Sequence, residues 1–100
     1  MEFTLATVHE TIAASLPDRE ALVFRDRRLT HRAVAERSRR LANYLISRGL
    51  GLHRERHELA NHEAGQDFVG LYLRNGNEYL EGWLGAAKAR AAAFNVNYRY

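Results

Sequence analysis

The sequence predicts an α/β fold: a helix, a short β-hairpin, a second helix, then a βαβ unit with parallel strands. Three observations predict it. Apolar residues recur at helical spacing in three stretches, Leu5 to Leu16, Val34 to Leu45 and Leu80 to Ala87. Runs of β-formers, EALVF, DFVGLYL and AAAFNV, lie between and after them. The last helical stretch sits between two such runs, and strands joined in this way pair in parallel through a right-handed crossover.

Residues 4–16 make the first expected helix, with Thr4 as N-cap, an apolar stripe of Leu5, Val8, Ile12 and Leu16, and Pro17 as its stop. Glu20–Phe24 and Leu29-Thr30 form a hairpin around a four-residue turn, Arg25-Asp26-Arg27-Arg28. Thr30 caps a second helix over 31–48, on which Val34, Leu41 and Leu45 share a face with Ser38 as a polar gap, and Gly49 supplies its left-handed C′ residue.

Residues 50–66, LGLHRERHELANHEAGQ, have weak periodicity and many charges, and read as a surface loop with one helical turn. Asp67–Leu73 is a strand, Arg74-Asn75-Gly76 its turn, and Asn77 the cap of a third helix. Glu78 and Glu81 near its start, with Lys88 and Arg90 near its end, complement the helix dipole. Gly82, Gly85 and Ala86 allow that helix to approach the sheet closely.

Length, 100 residues, suits one small domain or part of a larger one, and 46% apolar residues argue against disorder. No cysteine is present, which removes disulfides and thiolate chemistry and fits a reducing, cytoplasmic setting. The first residues have neither a basic n-region nor an apolar h-region. No apolar run approaches membrane-spanning length, so no integral membrane segment is expected and any membrane contact is peripheral. A net charge of +3 raises the question of nucleic acid, but the arginines are dispersed among Glu36, Glu55 and Glu58, and no nucleic-acid partner is expected.

HELANH, residues 57–62, nearly spells a helical zinc site. His57 and His62 are five apart, however, which at about 100° per residue separates them by roughly 140° around a helix axis. His53 and His57 have the chelating i,i+4 spacing, but Arg54 stands where a metalloprotease carries glutamate, and no third ligand is evident. Exposed histidines in a polar loop are the simpler reading. The turn Arg74-Asn75-Gly76-Asn77 opens a helix but has one glycine, and Lys88, the sole lysine, lies deep in that helix rather than at a phosphate loop. Ser15, Ser38 and Ser47 fall within helices without a nucleophile motif. Tyr72, Tyr79, Tyr98 and Tyr100 match no base-stacking platform.

Two segments carry a more specific signal. REALVFRDRRLTHRAVAERSRRLANYLISRGL resembles the opening of the adenylate-forming (AMP-binding) superfamily, with Pro17, Asp18, Ala21, Leu29, Thr30, Arg40 and Leu45 in the corresponding pattern. DFVGLYLRNGNEYLEGWLGAAKARAAAFNVNYRY is similar to the strand–helix–strand that follows, above all in bacterial fatty-acyl and sterol-acyl CoA ligases. His31 replaces the usual Tyr, Ala91-Ala92-Ala93 lacks a common proline, and 50–66 is longer than the usual link.

The resemblance implies that residues 1–100 are an N-terminal fragment of a synthetase's large domain, with 50–66 as a surface loop insert. It implies ATP, Mg²⁺ and CoA as cofactors of the full-length enzyme, and a fatty or sterol-type carboxylic acid as substrate. The family's phosphate loop, ribose-gripping acid and mobile lysine have no counterpart here. No catalytic, cofactor-binding or metal-binding residue is therefore assigned, and the segment is expected to be inactive alone. Its expected partner is the remainder of the ligase domain. With Asn97-Tyr98-Arg99-Tyr100 closely following an apolar strand, the isolated chain is expected to be marginally stable and prone to associate. The alternative is a free-standing small α/β binding or interaction protein.

Overall fold

The computed structural model describes residues 3–97, so Tyr98 and Tyr100 lie outside the described residues. The expected elements appear in the expected order. They are α1 (Leu5–Ser15), β1 (Glu20–Phe24), β2 (Arg27–Thr30), α2 (His31–Ser47), a 3₁₀ turn (Arg56–Glu58), β3 (Phe68–Leu71), α3 (Asn77–Lys88) and β4 (Ala92–Asn95).

Threonines start the first two helices. Thr4 and Thr7 form a reciprocal capping box, and Thr30 Oγ1 accepts from the Ala33 N–H at 3.1 Å. The end of α2 is a Schellman motif: Gly49, at φ 80°, lets the Leu50 N–H reach the Leu45 carbonyl at 3.0 Å. The end of α3 repeats that device with Arg90, at φ 62°, in the position usually held by glycine. There the Ala91 N–H donates to the Ala86 carbonyl at 2.9 Å.

Two sequence expectations are corrected here. The hairpin turn is two residues, Arg25-Asp26, because Arg27 and Arg28 join the ladder opposite Phe24 and Val23. Cross-strand pairing outweighs their polarity, and Arg25 takes the left-handed φ of 57° with its guanidinium 5.2 Å from the Phe24 ring centroid. On α3 the N-cap is Gly76, and Asn77 is the first helical residue. Asn77 is buried, its amide donating to Glu81 Oε2 at 2.7 Å, so it is occupied one turn into the helix rather than at the cap.

Strands β3 and β4 pair in parallel, from Phe68 opposite Ala92 to Leu71 opposite Asn95. Pleating sends Val69 and Leu71 to the face that α3 covers, and Phe68 and Phe94 to the other. On that second face Phe68 is 62% exposed and Phe94 46%. A Cβ at Gly82 would lie 2.9 Å from Leu71 Cδ2, so this glycine does bring α3 onto the sheet. Gly85 serves a different contact: its Cβ would lie 2.7 Å from Leu41 Cδ2, and it admits α2 rather than a strand. The core is accordingly small and alanine-rich, with Ala42, Leu45 and Ala89 buried together and Leu41 and Val69 packed against them.

Residues 50–66 form a loop closed at its base. Leu52 and Gln66 form an antiparallel bridge, the His53 N–H donates to the Gly65 carbonyl at 2.7 Å, and the Asp67 N–H to the Gly51 carbonyl at 2.9 Å. Its one helical turn is the 3₁₀ turn at Arg56–Glu58. Among the described residues no helix is long and apolar enough to cross a membrane.

Candidate functional site

Helices α1, α2 and α3 meet around Lys88. Its side chain is only 6% exposed. The ammonium has three N–H bonds and finds three acceptors: His9 Nδ1 at 2.9 Å and Glu10 Oε1 at 3.2 Å on α1, and Ser38 Oγ at 2.8 Å on α2. Ser38 in turn donates to the Ala35 carbonyl at 3.1 Å. The serine that interrupts the apolar stripe of α2 is therefore the seat of a lysine from α3. Lys88 does more than complement the helix dipole at the end of α3; it is the pin of a three-helix junction.

Glu10 is shared. Besides Lys88 it takes a two-pronged ion pair from Arg39, with Nε at 2.9 Å from Oε1 and Nη2 at 3.1 Å from Oε2. The Arg39 hydrogen bonds, aided by Lys88, hold the Glu10 carboxyl below its ordinary range. Burial pushes the Lys88 ammonium down, and the nearby Glu10 opposes that shift. His9 is also pushed down, by burial and then by the Lys88 charge. A groove of about 480 Å³ runs beside this cluster between α1 and α2, with Glu10, Arg39 and Lys88 on its polar side and Ala6, Ala42 and Ile46 on its apolar side.

A second ion pair, with its carboxylate nearly buried, ties α2 to α3. Arg37 Nε lies 2.8 Å from Glu81 Oε2, and the Glu81 side chain is 12% exposed. Glu81 is thus committed to Arg37 and Asn77, and dipole complementarity does not explain it. Glu78 stays exposed in the first turn of α3, where its charge does suit the helix start.

The other residues weighed from the sequence do not converge. His53 Nε2 lies 2.6 Å from Asp67 Oδ2, while His57 sits 4.0 Å from its neighbour Glu58. Asp67 also accepts the Gly51 N–H at 2.9 Å, and that bond, followed by His53, holds its carboxyl below the ordinary value. Ser47 Oγ donates to the Tyr44 carbonyl at 2.6 Å. Tyr79 bonds Asn95 through its hydroxyl, and Tyr72 is exposed. Among the described residues, no three or more His, Asp or Glu side chains are placed to hold a metal ion.

The family model for AMP-binding enzymes matches residues 9–100. The chain belongs to this family. It is 58% identical over 98 residues to the medium-chain acyl-CoA ligase Mig of Mycobacterium avium, covering 98% of this chain and 18% of that protein. It is 36% identical over 100 residues to a 3-oxocholest-4-en-26-oate–CoA ligase of Rhodococcus rhodochrous, covering all of this chain and 16% of that one. Among solved structures, a Rhodopseudomonas palustris protein assigned as a long-chain-fatty-acid CoA ligase superposes at a TM-score of 0.80 with 33% identity, covering 99% of this chain and 22% of that one. The N-terminal subdomain of Klebsiella oxytoca NpsA, in complex with anthranilyl-AMSN, superposes at 0.78 with 25% identity, covering 96% of this chain and 22% of that one. The chain thus spans less than a fifth of the length of the curated relatives it matches. Its incomplete α/β fold matches an N-terminal part of an adenylate-forming domain.

Proposed function

We propose that residues 1–100 are the N-terminal scaffold segment of an ATP-dependent acyl-CoA synthetase and are catalytically silent alone, with 50–66 as a surface insert. In the complete enzyme a carboxylic acid, ATP and CoA become acyl-CoA, AMP and pyrophosphate, in a cytoplasmic setting. The substrate class is a medium-chain fatty acid or a sterol side-chain carboxylate, by analogy with these relatives. The observation that carries this reading is 58% identity spread over 98 residues of a chain whose own sheet has one uncovered apolar face.

ATP, Mg²⁺ and CoA do not fit the residues described here. The βα turn that opens α3 has one glycine, and a Cβ there would lie 3.1 Å from Glu78 Oε1 and 3.3 Å from Phe24 Cε1. A carboxylate and an aromatic edge already lie against this turn, and Glu78 would repel a phosphate there. Lys88 is enclosed among its three acceptors. The segment's own work is mechanical. Lys88 and the Arg37–Glu81 pair fix the three helices, and β3 and β4 present Phe68 and Phe94 to the remainder of the ligase domain. Parallel sheets are stable when helices or loops cover both faces, and the later part of the domain is the occupant we assign to this one.

The test is a chimera. Exchanging this segment for its counterpart in the Mycobacterium avium ligase should retain carboxylate-dependent pyrophosphate release from ATP, while the 100-residue chain alone should release none. An inactive but folded chimera, or activity of the chain alone, overturns the proposal.

A further inference from the structure

We infer that α1 is a proton-sensitive latch, held to α2 and α3 by a neutral His9 and released when that imidazole gains a proton. The inference concerns the polar face of α1 and does not depend on the acyl-ligase reading.

The docking of α1 has an unusual division of labour. Its apolar stripe is left partly exposed, with Leu5 49% exposed and Ile12 39%. The buried apolar contribution of the helix is a single alanine, Ala13. Most of what fastens it is therefore polar: Glu10 to Arg39 and Lys88, and His9 to Lys88. The last contact has a fixed sense. A lysine ammonium can only donate, so His9 Nδ1 must be the bare, accepting nitrogen of a neutral ring.

Protonation at Nδ1 would place an N–H against an ammonium 2.9 Å away, turning a hydrogen bond into a repulsion. The surroundings offer no relief. The groups that face His9 are Lys88 from α3, Arg39 and His31 from α2, and Glu10 from its own helix. Glu10 is the only acid among them, and Arg39 already engages both its oxygens. The His31 ring centroid lies 6.5 Å from that of His9, and its Nδ1 is buried without a partner.

The sign follows from linkage. Burial and Lys88 hold His9 below its ordinary value of 6.5 while α1 is docked, so the released helix takes up the proton more readily. The docking contribution is complete above pH 6.5 and is lost as the pH falls below it, towards the docked value. Release would bare Lys88, Ser38 and the wall of the groove, leaving α2, α3 and the parallel strands in place.

Peptide-resolved hydrogen exchange of the whole chain at pH 7.5 and pH 5.5, corrected for intrinsic exchange, tests this. Protection of α1 should fall relative to α3, by up to about tenfold, the ceiling that a released imidazole with the ordinary value of 6.5 sets between these two pH values. His9→Asn, which keeps an acceptor near the Nδ1 position but cannot titrate, should abolish the pH dependence. An equal fall in that variant, an equal fall across α2 and α3, no fall at all, or no α1 protection at pH 7.5 would each overturn the latch. Imidazole carbon shifts give a check without substitution: His9 must titrate below the ordinary value of 6.5, and titration at that value or above contradicts it.

Discussion

Helices α1 and α2 are both amphipathic by sequence, yet they use opposite faces. On α2 the apolar stripe turns inward: Val34 and Leu45 are buried, Leu41 packs against α3, and Ser38 between them receives Lys88. On α1 the stripe turns outward, and the helix docks by Ala13, His9 and Glu10. Helical periodicity thus reports that a helix forms and that one face will be covered. It does not report whether the covering residues lie within the same hundred positions. The outward stripe of α1 and the outward face of β3 and β4 are two apolar surfaces that the described residues leave exposed.

The contrast can be broken experimentally, beginning where the effect is largest. Leu45→Ala, in the small core beneath α2, should cost about 2–3 kcal/mol in denaturant unfolding. Ile12→Ala on α1 should cost less, about 0.5–1 kcal/mol by the same measurement, because the residue is already 39% exposed. Equal costs would show that α1 buries its stripe after all. Gly85→Ala should cost about 1–3 kcal/mol, since the new methyl meets Leu41 Cβ at 2.9 Å and α2 cannot withdraw without opening the core.

Lys88→Met should cost about 1–2 kcal/mol and remove exchange protection from α1 while sparing the Schellman end of α2. The smallest effect belongs to the loop. Gly51 and His53 hold Asp67 below its ordinary value of 3.8, so its contribution is present above that pH and is lost as the pH falls through the depressed value. Asp67→Asn should flatten the acid dependence of exchange in residues 50–66 and leave the helices unchanged.

Much of the architecture was legible in the sequence because local rules and tertiary contacts agreed. Thr4 and Thr30 cap as expected, Gly49 ends α2, and the run from Asp67 to Asn95 is a parallel βαβ unit. The failures cluster where a distant partner decides. Asn77 and Glu81 look like helix-start chemistry until Arg37 arrives from α2. Lys88 looks like dipole complementarity alone until Ser38, His9 and Glu10 enclose it, and no local pattern announces an ammonium with three acceptors from two other helices. One trace was visible: the only lysine of the chain and the only polar break in the α2 stripe are each other's partners. The hairpin turn is shorter than the residue polarity suggests because the pairing of Arg27 and Arg28 is set by Phe24 and Val23 across the strand.

Sedimentation velocity of the purified chain across a concentration series probes the uncovered surfaces most directly. We expect association that strengthens with concentration, and that recedes when Phe68 and Phe94 are both replaced by lysine. A compact monomer at every concentration, melting in one sharp transition, would mean that these faces need no neighbour and that the chain is a free-standing α/β protein.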